Sequence, residues 1–524
     1  MGDSVAIVGG GPTAVYTAQA LTARGFPGTI DVFAAGDTPG VGMPYDRRFN
    51  HPALLANIAS FEIPPVGPSF ADWANAQDPA ALARLGIDRP LTERSFPPRV
   101  LLGDYYAAGL AALAAAHPNL RLHARTQVTD IAFRPDGVRV DWAGRAPGSR
   151  LFDHVVLASG HTWPGSDEAA RGRFASPWPT AALRVPQRAR VAVIGSSLSA
   201  IDAAVTLALQ AGRFAPTRDG LRYDRDPAHD LRITFFSRGG ILPEADFFFM
   251  VPAPPLAICT DAAVDALIRR GPLGLLDGVF DLMRAELQRA DRFYSLLIGL
   301  ATLTADDFAE AYFASRRGTD PFAHARANLS ESRENAARRR TVAWRFALLR
   351  MHEVVAPIVP HLSPADRARF DRGLKRLFMD NYAAVPLASV ERLIALNEAG
   401  VLSVERIGDS ADFEPAEQGV VLRQNGHGRA FTTLIDARGQ AALGLRDLPF
   451  PSLAAQLGDG DGPLPQGPDG LLPPPPGLRG QIYCAAIPFL LHRDPFVQGI
   501  CETARLGAEA ADRIIGDGAR VAAA

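Results

Sequence analysis

Residues 5–14 constrain the fold of this chain more than any other stretch. Val5-Ala6-Ile7-Val8 is a fully apolar run of strand length, Gly9-Gly10-Gly11 follows at once, and Thr13–Ala23 reads as an alanine-rich helix. Ile30-Asp31-Val32-Phe33 then reads as a second strand. Strand, glycine turn, helix and strand make one βαβ unit, and strands that are apolar on both faces belong to a buried parallel sheet. In the spacing Gly9-x-Gly11-x-x-Ala14, the first glycine permits a tight turn, the second lets backbone approach a pyrophosphate, and Ala14 lets the helix pack close to the strand. The helix N-terminus then offers amide N–H groups and a positive dipole end to phosphate, so the segment predicts a dinucleotide site. One element of the usual pattern is missing. The place after the second strand normally carries an acid for the ribose hydroxyls, but Ala34 and Ala35 follow Phe33 and the nearest acid is Asp37. Either Asp37 reaches the ribose, or water and backbone groups do.

The pattern recurs. Val191-Ala192-Val193-Ile194 leads into Gly195-x-Ser197-x-x-Ala200, a helix is expected over about 198–211, and Arg232–Phe236 is its second strand. Serine is small enough for the middle glycine position and can hydrogen-bond a phosphate oxygen. The second strand ends in Phe235-Phe236-Ser237-Arg238, where a hydroxyl and a guanidinium suit the 2′-phosphate of NADPH and an acid would suit NAD. Gly195, Ser196, Ser197, Ser237 and Arg238 are therefore the expected NADPH contacts. Beyond these two units no internal repeat is evident.

The chain has 524 residues, which at roughly 150 per domain suggests about three structural units. Its 47% hydrophobic and 21% charged residues are those of a globular protein, and a formal charge of -2 asks for neither nucleic acid nor an anionic membrane as partner. The three cysteines, Cys259, Cys484 and Cys501, form no CxxC or CxxxxC pair, which argues against a disulfide scaffold, a zinc ribbon and a dithiol reductase. Their low number fits a reducing compartment, and no basic n-region precedes Val5, so the expected location is the cytoplasm. No run approaches the roughly 18 apolar residues of a membrane-spanning helix. There is no HExxH, no cluster of His and Asp and no phosphate-loop Lys, so no metal is expected.

Between and after the two units the pattern changes. Residues 40–100 are rich in Pro, Gly and Asn without sustained period, as in a functional loop. Helix is expected at Gly103–Ala116 and strands near Arg121–His123, Gln127–Phe133, Val138–Trp142 and His154–Ala158. Residues 244–400 become largely helical, with Asp261–Arg292, Ala305–Ser315, Glu331–Val359 and Ala365–Met379 carrying helical spacing. The sheet pattern resumes at Val401–Arg406, Val420–Arg423 and Thr432–Ile435. Gly458–Gly480, dense in Gly and Pro, reads as a mobile surface loop, followed by a strand at Gln481–Ala485 and a helix at Thr503–Ile515.

This order of motifs resembles the flavin-dependent two-dinucleotide-binding oxidoreductases, in particular the bacterial FAD–NAD(P)-binding protein family. The resemblance is carried by Val8–Ala14, Gly40-Val41-Gly42-Met43-Pro44-Tyr45, Leu54–Ser60 with Asn57, Arg99-x-x-x-Gly103-x-Tyr105, Leu157-Ala158-Ser159-Gly160-His161, Ile435-Asp436-Ala437-Arg438-Gly439-Gln440 and Gly499–Arg513. It covers nearly the whole chain and is most specific in the first 240 residues. It implies an α/β fold with two dinucleotide-binding Rossmann-like domains, the FAD domain discontinuous, and a large helical insert. The implied boundaries are 1–165 for the first part of the FAD domain, 166–243 for the NADPH unit, 244–400 for the insert, which would roof the substrate, and 401–524 for the return to the FAD domain.

The resemblance further implies FAD contacts from Gly9, Gly11, Pro12, Thr13, Ala14, Asp37, Gly42, Met43, Asn57, Arg99, Val128, Ser159, Gly160, Asp436 and Gly439. Asn57 would face the flavin edge or the nicotinamide amide, with loop capping as the plainer alternative. Asn57 and His51 are the residues named for catalysis, and His161 is the other acid–base candidate; a structural role is the alternative for both histidines. The likeness extends toward class B flavin monooxygenases, including amine N-hydroxylases of the L-aspartate N-monooxygenase kind. These reduce FAD with NADPH, form a C4a-hydroperoxyflavin with O2 and hydroxylate a small amine or amino acid nitrogen. Arg338, Arg345 and Arg350 of the insert are the expected carboxylate clamp, because a guanidinium pairs two-pronged with a carboxylate; the alternative is that they face solvent. Two other readings stand beside this one: an NADPH-dependent flavin reductase or dehydrogenase without oxygen transfer, and a sensor that binds FAD and NADPH. A homo-oligomer is left open.

Overall fold

The structure is a computed structural model, and it describes residues 3–162, 168–218, 220–408, 412–424, 426–458, 460–467 and 469–523. The chain divides into two compact units, Met1–Trp163 with Gln440–Ala524, and Pro164–Gly439.

The first unit is built on a six-stranded sheet in the order Leu471–Leu472, Gln481–Cys484, His154–Leu157, Ser4–Val8, Thr29–Phe33, Leu120–His123. All pairings are parallel except that of the edge strand Leu471–Leu472. Alternate residues of Ser4–Val8 serve two cores, as a strand's two faces require. Val5 and Ile7 pack with the helices Pro12–Ala23 and Arg99–Ala116, whereas Ala6 and Val8 pack with the antiparallel sheet Thr126–Arg134, Gly137–Gly144, Gly148–Phe152. Each fully buried Val, Leu or Ile contributes about 1.5–3 kcal/mol, so this sandwich fixes the turn at its centre. The closing helix, Ile500–Ala523, packs on Pro12–Ala23 through Gly507, where a Cβ would lie 2.7 Å from the Thr17 nitrogen.

The second unit holds a five-stranded, all-parallel sheet in the order Leu402–Arg406, Asp230–Ser237, Arg188–Ile194, Thr433–Asp436, Arg173–Phe174. The helix Leu198–Gln210 follows the central strand, and a hairpin, Gly212–Thr217 with Gly220–Arg225, which sequence reading missed, follows that helix. The helical insert lies between the strands Asp230–Ser237 and Leu402–Arg406.

The fold class agrees with expectation, and four details differ. The return to the first unit comes at Gln440 and not at 401, because Leu402–Arg406 and Thr433–Asp436 hydrogen-bond into the second unit's sheet. The stretch expected as one helix over Asp261–Arg292 is three, Asp261–Arg269, Leu275–Ala290 and Arg292–Leu297, broken first at Gly271-Pro272. The helix expected over Glu331–Val359 is interrupted between Ala337 and Ala343, where Arg339 adopts a φ of 51°. Gly458–Gly480 is not simply a mobile surface loop: Leu464 and Leu472 are buried in the first unit's core, and Leu471–Leu472 pairs with Gln481–Cys484.

Candidate dinucleotide sites

In the first unit the turn after Ser4–Val8 is closed by backbone. Gly9 adopts a φ of +134° and donates its N–H to the Phe33 carbonyl at 3.0 Å; a Cβ there would stand 2.0 Å from the Ala158 oxygen. Gly11 caps the helix with no side-chain hydrogen bond, and Pro12, at the first helical position, needs no N–H partner. Opposite stands Gly42, with a φ of +71°, where a Cβ would lie 3.1 Å from the Gly11 Cα and 3.2 Å from the Pro12 Cδ. Two glycines thus face each other across the helix start and leave room for a group that meets backbone on both sides. The loop carrying Gly42 is seated on the helix Arg99–Ala116: a Cβ on Gly40 would stand 2.8 Å from the Ala107 Cα, and one on Gly103 would stand 2.6 Å from the Tyr45 oxygen. That close approach is the physical content of the Arg99-x-x-x-Gly103 spacing.

Thr13 and Ala14 are buried in the first turn of the helix, and Met43 opens the single turn Met43–Tyr45 that follows Gly42. Arg99 donates from Nε to the Leu55 carbonyl at 3.0 Å and so ties the helix to the segment that holds Asn57. The Asn57 Oδ1 is buried and has no hydrogen-bond partner among the described residues, which is what a residue awaiting a ligand N–H presents. With the facing glycines, this oxygen makes the site fit FAD. Val128 is buried in the antiparallel sheet, Ser159 is exposed, and Gly160 takes a φ of +70° in open space at the end of His154–Leu157.

Two of the expected residues have other employment. Asp37 pairs with Arg48 at 2.8 Å and Arg125 at 3.4 Å, so its carboxylate is already engaged. His51 is exposed, and its Nδ1 accepts from the Ala53 N–H at 3.1 Å, a local turn of the loop. His161 is the more sheltered histidine; burial pushes its pKa down, opposed by a hydrogen bond with Gln440.

In the second unit Gly195 takes a φ of +116° with a Cβ position 2.8 Å from the Ala437 oxygen, and its N–H donates to the Phe236 carbonyl at 2.7 Å. Ser197 caps the helix Leu198–Gln210 without a side-chain hydrogen bond, whereas Ser196 donates its hydroxyl to the Ile241 carbonyl at 2.7 Å. Ser237 accepts from the Gly240 N–H at 3.1 Å and keeps its own proton to give. Arg238 follows, exposed. Asp436 and Gly439, expected near the flavin, sit at the end of the strand beside Gly195, where Asp436 accepts from the Arg438 Nε at 2.9 Å and Gly439 takes a φ of +97°.

The expected arginine clamp is largely taken up by the insert itself. Arg345 is buried, pairs with Glu244 at 3.1 Å, donates to the Ala245 carbonyl at 3.2 Å and lies over the Phe247 ring. Arg338 pairs with Glu334 at 2.7 Å on an exposed helix face, and Arg350 stands 3.8 Å from Glu353. The arrangement around Arg345 was not read from the sequence. Glu244 also meets His324 at 3.3 Å and Arg316 at 3.8 Å, while Arg316 and Tyr312 both reach Asp380. Burial alone would raise the Glu244 pKa, but Arg345, His324 and Arg316 outweigh it and hold the carboxyl down at about 2. Among the described residues no group of three or more His, Cys, Asp and Glu is placed to hold a metal ion, and no helix is long and apolar enough to cross a membrane.

Comparison with known proteins agrees with this geometry. The FAD-NAD(P)-binding family model matches residues 6–162, and the YdhS-like middle domain model matches residues 260–382, within the helical insert. The chain has the fold of two-dinucleotide flavoenzymes. It is similar to the L-lysine 6-monooxygenase of Pseudomonas syringae, with a TM-score of 0.52 and 16% identity over 98% of this chain and 99% of that one. It is also similar to the ornithine N-hydroxylase of Kutzneria sp. 744, with a TM-score of 0.51 and 16% identity over 99% and 100%. FAD and a nicotinamide dinucleotide are its cofactors. The Escherichia coli (strain K12) protein YdhS is 40% identical over 519 residues, 98% of this chain and 97% of that one, and the chain belongs to the YdhS family.

Proposed function

We propose that this protein is an NADPH-dependent flavin monooxygenase that hydroxylates the nitrogen of a small amine or amino acid. The observation that carries the reading is the pair of glycine turns, each opening on an uncapped helix start, in a chain with no CxxC pair and with two of its three cysteines buried. Cys259 and Cys484 are buried, and burial pushes both thiols up to about 12. Bound flavin would supply hydride acceptance and oxygen activation. The protein's part is to hold the two nucleotides at Gly9–Ala14 and Gly195–Ala200, to present the Asn57 amide, and to keep water from the reacting face. The overall likeness to lysine and ornithine hydroxylases supports this architecture.

The test is coupling. Enzyme reduced anaerobically with NADPH is mixed with O2 and a panel of primary amines and amino acids. One substrate is expected to give hydroxylated nitrogen in proportion to NADPH consumed; hydrogen peroxide as the sole product with every amine would reject oxygen transfer. The alternative, a flavin reductase without oxygen transfer, is favoured by the engagement of Arg338 and Arg345 with carboxylates of their own chain, and the same experiment separates the two.

NADPH preference has its own expectation. A charge-assisted contact of guanidinium with phosphate contributes about 1.5–3 kcal/mol, so Arg238→Ala is expected to raise the KM for NADPH about tenfold or more while leaving NADH nearly unchanged. Steady-state kinetics with both cofactors checks it, and equal effects on the two would reject the contact.

A further inference from the structure

The carboxyl ends of parallel strands are where doubly wound sheets bind nucleotides. In the second unit that edge is unusually basic. Arg238 follows Ser237, and Arg406 ends the neighbouring strand in register with Ser237. The helical insert adds to the same place: a cavity of about 530 Å³ is lined by Arg238 and by Arg369, Arg372 and Arg376 of the insert, with Asp306, Glu310 and Asp371 among them.

The charges in this cavity divide by partner. Arg369 is spent on Asp277 at 2.7 Å, Asp306 at 2.8 Å and Asp366 at 2.8 Å. Asp371 holds Arg367 at 2.9 Å and Lys375 at 3.3 Å. Glu310 is paired with Arg317 and stands 3.7 Å from Arg376. Arg238 has no hydrogen bond or ion pair among the described residues. The Arg376 pKa is lowered by burial and then by the nearby Arg238. Arg238 and Arg376 line the same cavity, the one carboxylate beside Arg376, Glu310, is shared with Arg317, and an anion bound between the two guanidiniums would relieve their repulsion.

We propose that Arg376 of the helical insert joins Arg238 in holding the 2′-phosphate of NADPH, so that the insert is part of the specificity site of the nicotinamide cofactor. The inference rests on the NADPH reading above and extends it to a residue outside the Rossmann unit. The adenosine ribose of a dinucleotide on the Gly195 turn lies at the end of the second strand, which here is Ser237. Ser237 has a hydroxyl proton to donate there, and a phosphate dianion takes two guanidiniums better than one.

The experiment is calorimetric titration of the FAD-loaded protein with 2′,5′-ADP and with 5′-AMP, which differ only in the 2′-phosphate. Wild type is expected to prefer 2′,5′-ADP. Arg376→Met is expected to weaken 2′,5′-ADP about tenfold or more and to leave 5′-AMP unchanged, and Arg376→Lys, which keeps the charge, to retain most of the preference. A wild-type preference that survives Arg376→Met intact overturns this inference and leaves the NADPH reading standing. A wild type that binds both nucleotides equally overturns the NADPH reading itself. Should Arg376→Met fail to fold, the preference is read in Arg376→Gln, where its survival is equally decisive against the proposal.

Discussion

Glu244→Ala is expected to lower stability by about 3–5 kcal/mol, because removing one partner from a buried ion network leaves the others charged and uncompensated. Glu244 is itself buried, and the side chains of Arg316 and Arg345 are each 4% exposed. Without the carboxylate, the Arg345 side chain retains only the Ala245 carbonyl as a polar partner among the described residues, and Arg316 retains Asp380 and the Leu242 carbonyl. Glu244→Gln preserves the shape and one acceptor and is expected to fall between wild type and Glu244→Ala. Replacing Glu244, Arg316, Arg345 and Asp380 together by apolar residues of similar size is expected to cost less than Glu244→Ala alone, since none of these paired charges is then stranded. Denaturant titration followed by circular dichroism reads all three.

The same carboxyl gives the network a pH signature. Its folded pKa of about 2 lies below the ordinary value of 4.5. A depressed carboxylate pKa stabilises fully above the unfolded value, and that stabilisation fades as pH falls toward the folded one. Wild type is therefore expected to lose stability between pH 4.5 and about 2 more steeply than Glu244→Gln. Parallel acid unfolding curves for the two proteins would remove Glu244 as the cause.

How much of this was legible in the sequence depends on how far apart the cooperating residues lie. The Gly9–Ala14 turn occupies one continuous segment, so pattern alone locates it, and the same holds for Gly195–Ala200. The break at Gly271-Pro272 was also visible, since both residues end helices, and the long helix expected there ran through a stop signal. The interruption at Arg339 carries no such mark, because its φ of 51° is imposed on a residue that does not favour it. Strand patterns at 402–436 were recognised as strands, but the partner of a parallel strand is remote in sequence, and only the pairing of Ser237 with Arg406 and of Asp436 with Ile194 assigns them to the second unit. Arg345 failed as a clamp for a related reason. Its type and position suit a carboxylate, and the carboxylate it finds is Glu244, far back along the chain. Asp37 likewise looked free until Arg48 and Arg125 were placed beside it.

The two glycines of the first turn are expected to separate binding from folding. Gly11→Val is expected to abolish flavin retention in a protein that still folds. Gly11 has an extended ψ of -171° and a φ of -98°, which any residue adopts, and a Cβ there stands 3.5 Å from the Gly42 Cα, an ordinary contact. The fold therefore accepts the side chain, while the space between Gly11 and Gly42 that a pyrophosphate would need is filled. Gly9→Val is expected to fail earlier. Its φ of +134° lies where only glycine is at ease, a strain of about 1–3 kcal/mol. Its Cβ would also stand 2.0 Å from the Ala158 oxygen, so the adjacent strand ends must part, and they are the centre of the six-stranded sheet. Flavin absorbance per polypeptide after purification, read beside the circular dichroism spectrum, distinguishes the two. Gly11→Val with native spectrum and native flavin content would mean that the pyrophosphate is held elsewhere, and Gly9→Val with native stability would mean that the turn closes by a route other than the backbone packing of Gly9 on Ala158.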